Sequence, residues 1–125
     1  MDYFLTDEQK MLKELARRIA EEHIIPIRAE LDEKEEFPWE VMRVCGEAGL
    51  FGVSIPEEYG GSGGGVLETC LVVEELSRGC VGVAVSYAAS SLCAYPILLY
   101  GTEEQKRKYL PELASGRKLG AFAVT

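Results

Sequence analysis

One histidine is all that this sequence of 125 residues offers to acid–base or metal chemistry at neutral pH. Any Ser-His-Asp triad would have to use His23, and no G-x-S-x-G turn accompanies it, which argues against a hydrolase of that type. The four cysteines, Cys45, Cys70, Cys80 and Cys93, include no C-x-x-C pair and lie far from His23 in sequence. A structural zinc site is therefore not expected, and no metal is assigned. Basic residues are also scarce, with Lys+Arg 13 against Asp+Glu 21 and a net charge of −8, so the long-range field repels phosphates and anionic lipid headgroups. Neither a nucleic-acid partner nor a charged membrane surface fits that balance. The start, Met1-Asp2-Tyr3-Phe4-Leu5, has no basic-then-apolar signal, and the cysteines read as reduced thiols of a cytoplasmic protein.

What is present is ordinary for a globular chain: 47% hydrophobic and 27% charged residues, in a length that suits one domain. Thr6-Asp7-Glu8-Gln9 is a capping box, and Met11, Leu12, Leu15, Ile19 and Ala20 follow at helical spacing. Pro26, among Ile24, Ile25 and Ile27, predicts a kink or restart, and the charged run Glu30–Glu36 a solvated face and turn. A second helix opens at Phe37-Pro38, with proline at its first position, and stops at Gly49. Leu50–Tyr59 is apolar and irregular. A third helix is expected from about Val66 to Ser77, a fourth ending near Gly101, and a fifth from a second capping box, Thr102-Glu103-Glu104-Gln105, to Ala114. The sum is an all-α antiparallel helical bundle.

Three segments need separate treatment. Residues 79–102 carry no charge, which is long enough for a membrane span, but Ser86, Ser90, Ser91, Tyr87, Tyr95, Tyr100 and Pro96 suit the central helix of a soluble bundle better. The run Gly60-Gly61-Ser62-Gly63-Gly64-Gly65 lacks the lysine of a Walker loop and the spacing of a dinucleotide fingerprint, so it reads as a flexible connection that lets two helices approach. Lys118–Thr125 alternates as a strand does, yet nothing else in the sequence offers it a partner. The expectation is that the chain stops inside the first strand of a sheet it does not contain, with a helical domain at 1–117 and the start of a second domain at 118–125.

An ordered set of motifs then points to a family: Leu5-Thr6-x-x-Gln9, Phe37-Pro38, Gly49-Leu50-x-Gly52, Ile55-Pro56-Glu57-Glu58-Tyr59-Gly60-Gly61, Glu74-Glu75-Leu76, Pro96-Ile97, Gly101-Thr102-Glu103-Glu104-Gln105-Lys106, Tyr109-Leu110-Pro111 and Gly120-Ala121-Phe122-Ala123-Val124-Thr125. Together they resemble the amino-terminal domain of the acyl-CoA dehydrogenases over essentially the whole chain. The resemblance implies a three-domain flavoenzyme that takes hydrogens from Cα and Cβ of an acyl-CoA thioester, a glutamate removing the α-proton and FAD accepting the β-hydride. That glutamate is expected beyond residue 125, so no catalytic residue is assigned here and the chain alone is expected to be inactive.

By the same resemblance, Phe122, Val124 and Thr125 are the first flavin contacts, with core packing as the other reading of Phe122 and Val124. Ala84, Val85 and Ala88 face the acyl pocket, or serve close helix packing. Leu12, Leu50 and Val72 belong to a groove for electron-transfer flavoprotein, or to the core; the matching Ser62 and Gly64 depart from the apolar residues of medium-chain enzymes. A homotetramer is implied for the full-length protein. An acyl-CoA oxidase or related flavoenzyme on the same fold, and a free-standing helical binding module, are the other readings.

Overall fold

A computed structural model of the chain describes residues 4–124. Helix α1, Asp7–Ile19, starts at the expected capping box: the Thr6 hydroxyl accepts the Gln9 N–H at 3.2 Å and the Gln9 side chain accepts the Thr6 N–H at 3.0 Å. Such a cap contributes about 1 kcal/mol. The helix then widens into a π-turn, Ala20–Ile24, closed by the Ile25 N–H on the Ala20 carbonyl. Pro26 has no N–H to continue the ladder, and the chain restarts as α2, Arg28–Lys34.

Helix α2 corrects the reading of the charged run as face and turn. Glu30 and Lys34 pair across one helical turn at 2.5 Å, and only Leu31 packs on the core. Strong helix formers make the segment helical although no apolar periodicity announces it. Helix α3, Trp39–Glu47, begins one residue later than expected, because Pro38 precedes the first turn with ψ 60°. It buries Val41, Met42 and Cys45 and ends at Gly49, whose φ of 75° suits glycine.

Between α3 and the next helix the chain makes two short 3₁₀ turns, Leu50–Gly52 and Glu57–Tyr59, and buries Leu50, Phe51, Val53, Ile55 and Tyr59. The glycine run after it is not a flexible connection. Gly61, Ser62, Gly63 and Gly64 donate their N–H groups to the carbonyls of Pro56, Gly52, Ile55 and Val53 at 2.9–3.1 Å. A Cβ on Gly61 would lie 1.8 Å from the Ile55 carbonyl oxygen. Glycine is needed because backbone lies against backbone, rather than to let helices approach.

Helices α4 (Val66–Gly79), α5 (Val81–Tyr100) and α6 (Glu103–Ala114) complete the bundle; α1 packs on α4, α4 on α5 and α5 on α6. Single-residue and two-residue connections, Cys80 and Gly101-Thr102, make successive helices antiparallel. Gly79 lets the π-turn close on the end of α4, since a Cβ there would lie 2.9 Å from Ile24 Cγ2. Glu75, 2% exposed, ties α4 to α1 through a two-pronged pair with Arg17 at 2.9 and 3.0 Å. On α5, the buried Tyr87 hydroxyl donates to the Leu50 carbonyl at 2.7 Å and its ring tilts against Phe51.

Helix α5 is long and apolar enough to cross a membrane by length and composition. In this fold it lies between α4 and α6 and gives Val83, Ala84, Tyr87, Ser90 and Ala94 to the interior. Residues 118–124 form no strand among the described residues; a strand exists only in a ladder, and none is offered. The four cysteines are free thiols, with Cys45 buried and Cys70 exposed.

Candidate functional site

The outer face of α5 carries an exposed apolar stripe. Val81, Val85, Leu92 and Leu99 are 56–65% exposed and fall on one stripe, with half-buried Ala88 and Tyr95 between them. Spacings of three and four residues make that stripe, since they return a helix to the same face. A contiguous apolar face rarely stays uncovered on a soluble protein and marks an interaction or ligand surface. The Tyr95 hydroxyl, beneath it, is buried with no hydrogen-bond partner among the described residues.

The three sequence candidates on α5 do not share this face. Val85 is exposed on the stripe and Ala88 sits half-buried at its middle, whereas Ala84 is 0% exposed and belongs to the interior cluster with Tyr87. Adjacent residues point about 100° apart on a helix, so Ala84 and Val85 cannot both face outward. The rest of the stripe, Val81, Leu92 and Leu99, was not singled out from the sequence, although its spacing was readable within the uncharged run.

The chain's last described segment lies on a different face of α5, against Ser90 and Cys93, which point well away from the stripe. Gly120 donates its N–H to the Ser90 hydroxyl on α5 at 3.1 Å. Beyond it, residues 121–124 make no backbone hydrogen bond among the described residues, and Phe122 and Val124 are 54% and 73% exposed. Thr125 lies outside the described residues. The segment thus leaves amide and carbonyl groups unpaired beside an exposed aromatic ring. A cavity of about 280 Å³ opens between this segment, α5 and α6, with Cys93, Lys108, Tyr109 and Lys118 in its wall.

The groove candidates separate in the same way. Leu50 and Val72 are 1% and 0% exposed and form core. Leu12 is half-buried in the wall of a depression of about 370 Å³ between the start of α1 and the glycine turn, and Ser62 and Gly64 form the opposite wall. Gln9 donates to Glu68 at 2.6 Å at its edge, and Glu68 also accepts the Gly65 N–H at 2.7 Å. The Gln9 amide first, then that N–H, hold the Glu68 carboxyl below the usual carboxylate range. The depression is thus half polar, as the small residues at 62 and 64 dictate.

The family model described as Acyl-CoA dehydrogenase, N-terminal domain, matches residues 6–117. The chain belongs to the acyl-CoA dehydrogenase family. Among curated acyl-CoA dehydrogenase relatives, the short-chain specific enzyme of Clostridium acetobutylicum is 48% identical over 127 residues, covering 100% of this chain and 33% of its own length. The acryloyl-CoA reductase (NADH) of Anaerotignum propionicum is 46% identical, covering 100% of the chain and 32% of its own length. The chain thus spans about a third of the curated relatives it matches.

Solved structures agree with this acyl-CoA dehydrogenase assignment. Butyryl-CoA dehydrogenase from Megasphaera elsdenii superposes with a TM-score of 0.88 at 41% identity, over 95% of this chain and 32% of that one. A chain from a structure of the electron transferring flavoprotein of Acidaminococcus fermentans gives 0.89 at 43% identity, over 95% and 32%. An acyl-CoA dehydrogenase complexed with FAD from Bacillus anthracis gives 0.85 at 36% identity, over 93% and 20%.

Proposed function

We propose that this chain is the amino-terminal helical domain, residues 1–117, of an FAD-dependent enzyme that dehydrogenates acyl-CoA thioesters to their trans-2-enoyl forms, residues 118–125 opening its middle domain. The observation that carries the reading is the seating of a segment with free backbone groups, 121–124, next to Gly120, which is held on the Ser90–Cys93 face of α5. When bound, FAD supplies the hydride-accepting chemistry such a reaction requires. Phe122, Val124 and Thr125 hold the polar edge of the ring. Val85 and Ala88 line the acyl chain, with Ala84 behind them as the small residue that lets α5 sit close to the core. Covered by an acyl chain, the stripe would exclude water, so that carbonyl polarisation at a neighbouring site would act in a dry environment.

Expression of the full reading frame that contains this chain tests the proposal: the product should carry FAD and lose its visible flavin absorption on anaerobic addition of an acyl-CoA. A product without flavin would overturn it. The small side chain at 88 leaves room for a wide or long acyl group, and Ala88→Phe should shift preference to shorter substrates. Electron-transfer flavoprotein is the proposed electron acceptor, docking at the depression lined by Leu12, Val53, Ser62 and Gly64, while Leu50 and Val72 lie in the core. We place the protein in the cytoplasm, in line with its four free thiols.

A further inference from the structure

We propose that Ser90 and Gly120 form a positioning clamp that sets where segment 121–124 leaves α5, and through it the edge that receives the flavin. The inference rests on the reading of that segment given above. Ser90 is 3% exposed on the inner face of an uncharged helix, so its hydroxyl must be used. Its oxygen accepts the Gly120 N–H, the one tertiary hydrogen bond made by residues 119–124 among the described residues.

The other half of the clamp is steric. A Cβ on Gly120 would lie 2.4 Å from Cys93 Cβ and 3.2 Å from the Ser90 carbonyl oxygen, so only glycine seats there while Cys93 stands opposite. One backbone position is thus fixed by a bond and by a contact at once. Phe122 and Val124 follow at two and four residues, the spacing that would share one face of the segment where it joins a strand. A slip of a single residue at Gly120 would turn both to the other face. Ser90 touches neither ring nor thioester in this scheme and acts only through the segment.

Two measurements test the clamp. In this chain, Ser90→Ala should raise hydrogen exchange at the Gly120 amide by about tenfold while leaving the thermal midpoint within a degree or two, because alanine is the best helix former. Unchanged Gly120 exchange would overturn the clamp irrespective of any flavin. In the full reading frame, Gly120→Ala should weaken FAD binding by about fivefold or more, the worth of one hydrogen bond, and Cys93→Gly in the same protein should restore it. Flavin affinity indifferent to Ser90→Ala and Gly120→Ala would break the link to the cofactor. If even the unmutated protein binds no flavin, the reading of the segment fails, and Gly120 exchange alone then decides the clamp.

Discussion

Replacing Glu75 by glutamine removes one charge from a position that is 2% exposed and keeps its shape. The two Arg17–Glu75 hydrogen bonds lose their full strength, and Lys13 and Arg78, at 3.7 and 3.3 Å, each lose one counter-charge, Lys13 keeping Glu74 at 3.9 Å. Breaking a fully buried pair typically costs about 3–5 kcal/mol. Here the three cations are 42%, 18% and 57% exposed and reach water, so a loss of about 2–3 kcal/mol is expected. For a chain of this size that lowers the thermal midpoint by about 6–15 °C.

The pH dependence of this loss follows from the carboxyl itself. The Arg17 hydrogen bonds hold the Glu75 carboxyl below its ordinary value of 4.5, against the opposing effect of burial. A group whose native pKa is depressed contributes fully above the unfolded value, and its contribution fades as pH falls through the native one. Urea unfolding of both proteins, followed by circular dichroism, should show the full gap at pH 7 and a closing gap below about pH 4.5. A difference under about 0.5 kcal/mol at pH 7 would refute the reasoning.

Gly61→Ala, with its 1.8 Å clash against backbone, should cost several times more than Gly63→Ala, where φ is 71° but the nearest atom is 3.8 Å away; urea midpoints compare the two. Equal costs would mean that the turn is loose after all. Tyr87→Phe should lose about 1–2 kcal/mol, because the Leu50 carbonyl keeps its burial and loses its only side-chain donor. In thiol labelling of the native chain, exposed Cys70 should react first and Cys45 last, since burial pushes the Cys45 thiol up to about 12. Rapid labelling of Cys45 would show that the α3 core opens.

The helices that carry caps or an apolar face were legible in the sequence: Thr6 and Gln9, Thr102 and Gln105, and the α1 stripe are local signals, and local structure follows them. What escaped depends on distant partners. The glycine run reads as slack until the carbonyls of residues 52–56 arrive to receive its amides. Helix α2 has no buried residue to give it periodicity. At the site, type of residue was readable but direction was not: Ala84 and Val85 are neighbours in sequence, yet one is fully buried and the other exposed, and of the two readings left open for Leu50 and Val72, groove or core, both side chains lie in the core. An apolar residue in a uniformly uncharged helix does not reveal which way it faces until the neighbours are in place.

Segment 121–124, held by Gly120 on the Ser90–Cys93 face of α5, is proposed as one edge of a flavin site. Purification of the full reading frame that contains this chain, followed by the visible spectrum before and after anaerobic addition of an acyl-CoA, tests it most directly. Stoichiometric FAD that bleaches with the thioester is the predicted result. A colourless protein, or a flavin indifferent to every acyl-CoA supplied, would contradict it.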